Sequence, residues 1–259
     1  MSLSAWIGKS ASTGKRAWQH TAQVAAHASS RRLSRMMLMA AMCQPLSVYA
    51  QSINPSETID TAAQPFEARY RLQTQGWPKA TVTHRLSEEN GHWLSSMSFA
   101  VAIARANERS RFTVQDDDIQ ALQYSSSYSL LGIGKEYQLT NEQLTQPDRQ
   151  TALFKLSLPA NQDGCRQDSP CELHYLDHSG DPEHFHYYPV SRDALSLPAG
   201  EFEAVTVALV DPEKPDRTLH ISFHPQLPGL LLSVEYRRDG RRHTQLSLLD
   251  VSLQGGVTP

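Results

Sequence analysis

From Phe66 onward, apolar residues recur at every second position, and this period of two constrains the chain more than any motif in it. Phe66, Ala68, Tyr70 and Leu72 alternate with Glu67, Arg69, Arg71 and Gln73, the pattern of a strand with one buried face. Ala80, Val82, His84 and Leu86 repeat it. Asn90-Gly91 then supplies a hairpin turn, and Trp93, Ser95, Met97, Phe99, Val101 and Ile103 line one face of a long strand. Further strands are predicted at about 107–115, 119–129, 134–140, 171–177, 182–189, 202–210, 217–224, 230–237 and 242–252, with Asp116-Asp117-Asp118 and Asp239-Gly240 as turns. The stretch 148–157 is the best helix candidate, with Asp148 placed to cap its first turn. Many short strands at regular spacing with little helix predict a mainly β fold. The expected architecture is a single curved antiparallel sheet, an open barrel or clam, with one short central helix, built by residues 65–253 as one domain.

Residues 31–50 follow a different rule. Arg31-Arg32-Leu33-Ser34-Arg35 leads into the apolar run Met36–Met42 and a small-residue exit, Val48-Tyr49-Ala50. A basic stretch, a short apolar core and a small-residue cleavage site make a secretory signal peptide. The run, broken by Gln44 and Pro45, is too short to span a bilayer. The reading assigns 1–50 to a signal peptide with a long basic n-region, cleaved after Ala50, 51–64 to a flexible leader and 254–259 to a disordered tail. The compartment expected is the periplasm, with no transmembrane segment in the mature chain. A lipoprotein site at Cys43 fits less well, because Met42 is not small. A twin-arginine signal at Arg31-Arg32 lacks the apolar pair after it. A transit peptide and a start assigned too far upstream stay as alternatives for the first thirty residues.

Charge narrows the partners. The whole chain carries −3, but its first fifty residues hold six basic and no acidic residues. Beyond Ala50, 18 basic residues face 27 acidic ones, a charge near −9. Nucleic acid is therefore excluded as a partner, since its phosphates call for clustered cations. Two cysteines remain after cleavage, Cys165 and Cys171, in a turn-rich loop. In an oxidising compartment they are expected to form a disulfide that staples the fold.

From about residue 64 to 253 the chain resembles a family of exported bacterial proteins known as a domain of unknown function. The resemblance is carried by Pro198-Ala199-Gly200-Glu201-Phe202-Glu203-Ala204, by Leu227-Pro228 after a strand ending in Phe223, and by the opening strand pair around Gly76-Trp77-Pro78-Lys79-Ala80. Phe223 stands where the family usually has Trp, and Ala80 where it often has Gly. Pro198, Gly200, Phe202 and Pro228 read as fold-defining: Gly200 for a turn that needs positive φ, Pro228 to close one strand and set the turn into the next. The resemblance implies a curved sheet wrapped around a helix, similar in outline to envelope lipoprotein carriers. It implies no reaction.

Three groups of residues offer chemistry. His174, His178, His184 and His186 lie within thirteen residues, and His184 and His186 share a strand face. His178, His184 and His186 are the metal-site candidates, set against the alternative of exposed histidines holding no metal. Arg237, Arg238, Arg241 and Arg242 crowd one hairpin tip, where they either meet an anionic partner or keep a solvated edge charged. Aromatics such as Phe99, Phe112, Tyr124 and Tyr187 either fill the core or line a cavity suited to an acyl chain. No nucleophile elbow, His-Glu-x-x-His or phosphate loop occurs, so no catalytic residue and no cofactor is assigned. The expected function is an exported, non-enzymatic envelope protein that binds or carries a lipid or acyl ligand in the concave sheet. The alternatives are a structural protein that holds an envelope protein partner and no small ligand, and a metal-dependent hydrolase built on the histidines.

Overall fold

The computed structural model describes residues 63–115, 118–159 and 162–254. The residues expected to form the signal peptide, nearly all of those expected in the leader, Asp116, Asp117 and all but the first residue of the expected tail lie outside these residues. Twelve strands form one antiparallel sheet: β1 (Phe66–Thr74), β2 (Ala80–Glu89), β3 (His92–Val101), β4 (Ala104–Gln115), β5 (Asp118–Leu130), β6 (Ile133–Thr140), β7 (Cys171–Leu176), β8 (Pro182–Leu197), β9 (Gly200–Asp211), β10 (Lys214–Phe223), β11 (Leu231–Arg238) and β12 (Arg241–Leu253). A single helix, α1 (Arg149–Ser157), separates β6 from β7.

The strand order is β6-β5-β4-β3-β2-β1-β12-β11-β10-β9-β8-β7. Each half of the chain is thus an up-and-down meander, and the first and last strands join the halves in the middle. Phe66 pairs with Leu253 and Thr74 with Thr244, with an irregularity at Arg69/Tyr70. The two-residue turns follow the expected chemistry: Asn90 and Asp239 take φ of 53° and 50°, each followed by a glycine at positive φ.

The sheet curls without closing. Its edge strands, β6 and β7, do not pair with each other. Even so, the Leu176 amide donates to the Pro147 carbonyl at 2.9 Å, and the Ser126 hydroxyl of β5 donates to the His178 carbonyl at 2.6 Å. The turn after β7 therefore rests on the far edge of the sheet. Its His178 ring lies 5.9 Å from Tyr128 and 5.8 Å from Tyr137.

Alternation aims Phe66, Ala68 and Tyr70 of β1 and Val82 and Leu86 of β2 into the concave core, all fully buried. Each such aromatic or branched side chain contributes about 1.5–3 kcal/mol on leaving water. Helix α1 sits in the concavity. It is buried nearly all round, polar residues included: Arg149, Gln150, Thr151 and Ser157 are as enclosed as Ala152, Phe154 and Leu156. Asp148 caps it, accepting from the amides of Gln150 at 2.9 Å and Thr151 at 3.2 Å.

The β10–β11 turn seats on the helix end. Gly229 (φ +83°) donates its N–H to Ser157 Oγ at 2.8 Å, and a Cβ there would stand 2.9 Å from the Phe154 ring. Only glycine permits both the conformation and the approach. Pro228 lies in this same turn, and Gly200 (φ +133°) opens β9 opposite Leu197.

Two strand expectations need correction. Ile103 does not extend the long strand, because β3 ends at Val101 and the chain turns into β4; Ile103 is 42% exposed. The strand expected at 182–189 continues to Leu197, because β9 is long enough to pair with it past an irregularity at Pro189/Ser191.

Candidate functional site

The concave face holds a chain of polar contacts that ties three strands to the helix. Glu108 of β4 is 1% exposed and forms an ion pair with Arg149. Arg149 Nε and Gln150 Nε2 each donate to Glu108 Oε2 at 3.2 Å. Ser95 of β3 donates to Gln150 Oε1 at 3.0 Å, and His84 Nε2 of β2 lies 3.1 Å from Ser95 Oγ. Alongside, Asp148 Oδ2 accepts from Ser110 Oγ and from Thr151 Oγ1, both at 2.7 Å. Burial pushes the His84 imidazole down to about 3, so it is neutral across the physiological range. Burial lowers the Arg149 guanidinium to about 10, which leaves it charged at neutral pH.

This network leaves little space. Between α1 and β9–β12 a cavity of about 60 Å³ remains, lined chiefly by Leu153, Leu209, Ile221, Leu231 and Val234, with Arg149 also contributing. Small-molecule sites are roughly 300–1,000 Å³, so the interior of the clam is filled mostly by its own helix. A larger groove of about 690 Å³ opens at the rim, past the C-terminal end of α1. Phe202, Val205 and Phe223 provide apolar lining, and Arg192, Glu203 and His224 provide polar groups. The groove also takes in Ala199, Gly200 and Glu201 from the segment that carries the family resemblance. Phe202 and His224 meet edge to face at 6.2 Å, and burial lowers the His224 imidazole from its ordinary value.

The histidines divide differently from the expectation. His178 does not join His184 and His186, since its ring is held between Tyr128 and Tyr137 and its Nδ1 lies 3.2 Å from Asp177. The residues brought together are Glu172 and His174 on β7 with His184 on β8, and the His186 ring stands 5.2 Å from that of His184. Single-strand reasoning paired residues along β8; the register pairs His174 with His184 and Glu172 with His186.

The arginine hairpin is largely answered by its own surface. Arg237 and Arg242 both reach Glu235, at 2.7 and 3.1 Å, and Arg238 lies 3.9 Å from Asp216. These carboxylates reduce the local positive field on which an anionic partner would draw. Cys165 and Cys171 are joined in a disulfide that ties the loop after α1 to the start of β7.

Glu108, Arg149, Gln150 and Ser110 were not picked out from the sequence. One signal pointed to them: in Ala104-Arg105-Ala106-Asn107-Glu108-Arg109-Ser110, the alternation puts Glu108 on the inward face while Arg105 and Arg109 point out. An inward glutamate must find a cationic partner, and only the tertiary fold shows that it is Arg149.

No protein-family model matches this sequence, and no curated protein matches it. The family resemblance read from Pro198–Ala204 and Leu227-Pro228 therefore has no family match behind it. Among solved structures, the crystal structure of MucB aligns with 76% of this chain and 55% of its own length, at a TM-score of 0.35 and 10% sequence identity. This chain thus spans about half the length of MucB, and a likeness at that level carries no argument about function. Among the described residues, no helix is long and apolar enough to cross a membrane.

Proposed function

We propose that this chain is an exported, non-enzymatic envelope protein that binds a lipophilic ligand in the rim groove and not inside the clam. The observation that carries this is the contrast in volume, about 690 Å³ at the rim against about 60 Å³ within. An acyl chain would lie on Phe202, Ala199 and Pro225, with its polar end toward Arg192 and His224. Export rests on the basic, apolar and small-residue pattern of residues 31–50. A non-catalytic reading is supported by the concave polar groups themselves. Ser95 gives its proton to Gln150, His84 is neutral and buried, and Glu108 is committed to Arg149.

Native mass spectrometry of the chain, isolated from the periplasm without detergent, tests this. A mass excess matching a fatty acid or phospholipid is expected, and Phe202→Asp should weaken binding of a fluorescent acyl probe about tenfold or more. A bare mass, together with no probe binding, would end the lipid reading.

A second reading is favoured by the hairpin tips at one corner of the sheet. Ile103, Leu131 and Ile133 are 42%, 74% and 82% exposed, and the Leu131 amide donates to the Ile103 carbonyl at 2.8 Å. Leu131 takes φ of +53°, where a branched apolar side chain costs about 1–3 kcal/mol of strain. Strain and exposed apolar surface retained together suit a docking point for an envelope protein partner. Crosslinking from position 131 in the periplasm should then capture one discrete species; labelling spread across many proteins would speak against a specific partner.

A further inference from the structure

We propose that Glu172, His174 and His184 form a binding site for one divalent transition-metal ion, zinc or copper, on the outer face of the β7–β8 hairpin. This goes beyond the ligand-binding reading and does not depend on it. The site is built by strand register. His174 and His184 are directly opposed across the two strands, as are Glu172 and His186. Side chains at directly opposed positions on one face stand about 5 Å apart at Cβ. The neighbours of these residues, Tyr175 and Phe185, point into the core and are buried. That fixes the backbone beneath the polar cluster and aims Glu172, His174, His184 and His186 outward as a group.

The contacts within the group are those of a partly assembled coordination shell. The two opposed imidazoles stack with centroids 4.4 Å apart and planes within 4°. Both turn Nε2 toward the same carboxylate: His174 Nε2 lies 3.2 Å from Glu172 Oε2, and His184 Nε2 lies 4.0 Å from Glu172 Oε1. One donor atom from each of the three residues falls within 4.8 Å of the others. A cation with ligands at about 2.0–2.2 Å holds them roughly 3.3 Å apart in a tetrahedral shell. Small rotations of side chains in contact with solvent close that difference.

A second observation points the same way. His184 Nε2 is shielded from solvent and has no hydrogen-bond partner among the described residues. A shielded nitrogen facing a carboxylate that it does not reach is an unmet donor or acceptor, which a structure seldom leaves without cause. A metal ion between them satisfies both. Glu172, at an exposed position, supplies the carboxylate oxygen of the set. Two imidazoles and one carboxylate suit zinc or copper over the hard cations calcium and magnesium, which take all-oxygen shells. His186, whose ring meets that of His184 at 5.2 Å and 83°, can supply a fourth ligand; otherwise water does. The ion would cross-link β7, an edge strand, to β8.

Titration of the full chain with Zn²⁺ alone, by calorimetry and by thermal unfolding, tests the site. One saturable equivalent is expected, with Tm raised by about 5 °C or more at a hundredfold excess over Kd. His174→Gln and His184→Gln should each weaken binding at least about tenfold, while His178→Gln, altered outside the cluster, should leave it unchanged. Glu172→Gln, at a solvent-exposed position that burial does not constrain, serves as the check that lost affinity is not lost folding. Absence of saturable binding would overturn the proposal, and so would affinity unchanged in the His174, His184 and Glu172 variants.

Discussion

Arg149, the first residue of α1, is ion-paired with Glu108 of β4 on the concave face, and both are almost wholly out of water. Removing one partner leaves the other charge buried and unanswered, whereas removing both with apolar replacements does not. Glu108→Leu or Arg149→Met alone should each destabilise the fold by about 3–5 kcal/mol. The pair Glu108→Leu with Arg149→Met should recover most of that loss. Urea denaturation of the four proteins gives the coupling. Additive losses would mean that the two charges do not act as a pair.

Asp177 braces the β7–β8 turn that rests on β5. Burial alone would raise its pKa, but the His178 ring 3.2 Å away and the hydrogen bonds donated by Ser179 and Asp181 outweigh burial and hold the carboxyl well below its ordinary value. A carboxylate depressed in the folded state contributes stability that is present above its unfolded pKa and lost as pH falls toward its folded one. The protein should therefore lose stability below about pH 4. Asp177→Asn should be less stable at neutral pH and show a flatter acid limb. Tm measured from pH 7 down to pH 2 checks this, and hydrogen exchange should show β6 and β7 loosening first.

The Cys165–Cys171 bond closes a short loop, for which chain entropy gives about 2 kcal/mol. Reduction or Cys171→Ser should lower Tm by roughly 4–8 °C. The core should stay intact, because the bond anchors the loop between α1 and β7 and crosses no other element. Near-ultraviolet circular dichroism at room temperature reports the core, and a thermal scan the loss.

Leu131 occupies the first position of a two-residue hairpin turn, where asparagine before glycine is favoured. Leu131→Asn should raise stability by about 0.5–1 kcal/mol, by relieving strain and by removing an exposed apolar side chain. If the tip docks onto a partner, the same substitution should reduce crosslinking there. A gain in Tm with no loss of partner would leave the leucine without a functional reason.

The alternation from Phe66 to Leu253 was enough to read eleven of the twelve strands near their observed limits, and the helix with its Asp148 cap. Period two, turn chemistry and capping are local properties, carried by residues a few positions apart. The site was less legible. Glu108 and Arg149 are 41 residues apart, and nothing local to either names the other. The histidines show the same limit: sequence spacing grouped His178 with His184 and His186, while antiparallel register put His174 and Glu172 there instead.

By itself, then, the sequence determined a one-face-buried antiparallel sheet, the turns at Asn90-Gly91 and Asp239-Gly240, its helix and its disulfide partners, because each depends on neighbours along the chain. Only the tertiary structure decided what the concave face is buried against. The sheet curls until the β7–β8 turn meets β5 and β6, and α1 with its buried polar residues occupies the space so enclosed. Alternation marks which side chains leave water; the closing geometry of the sheet decides whether a helix or a ligand receives them.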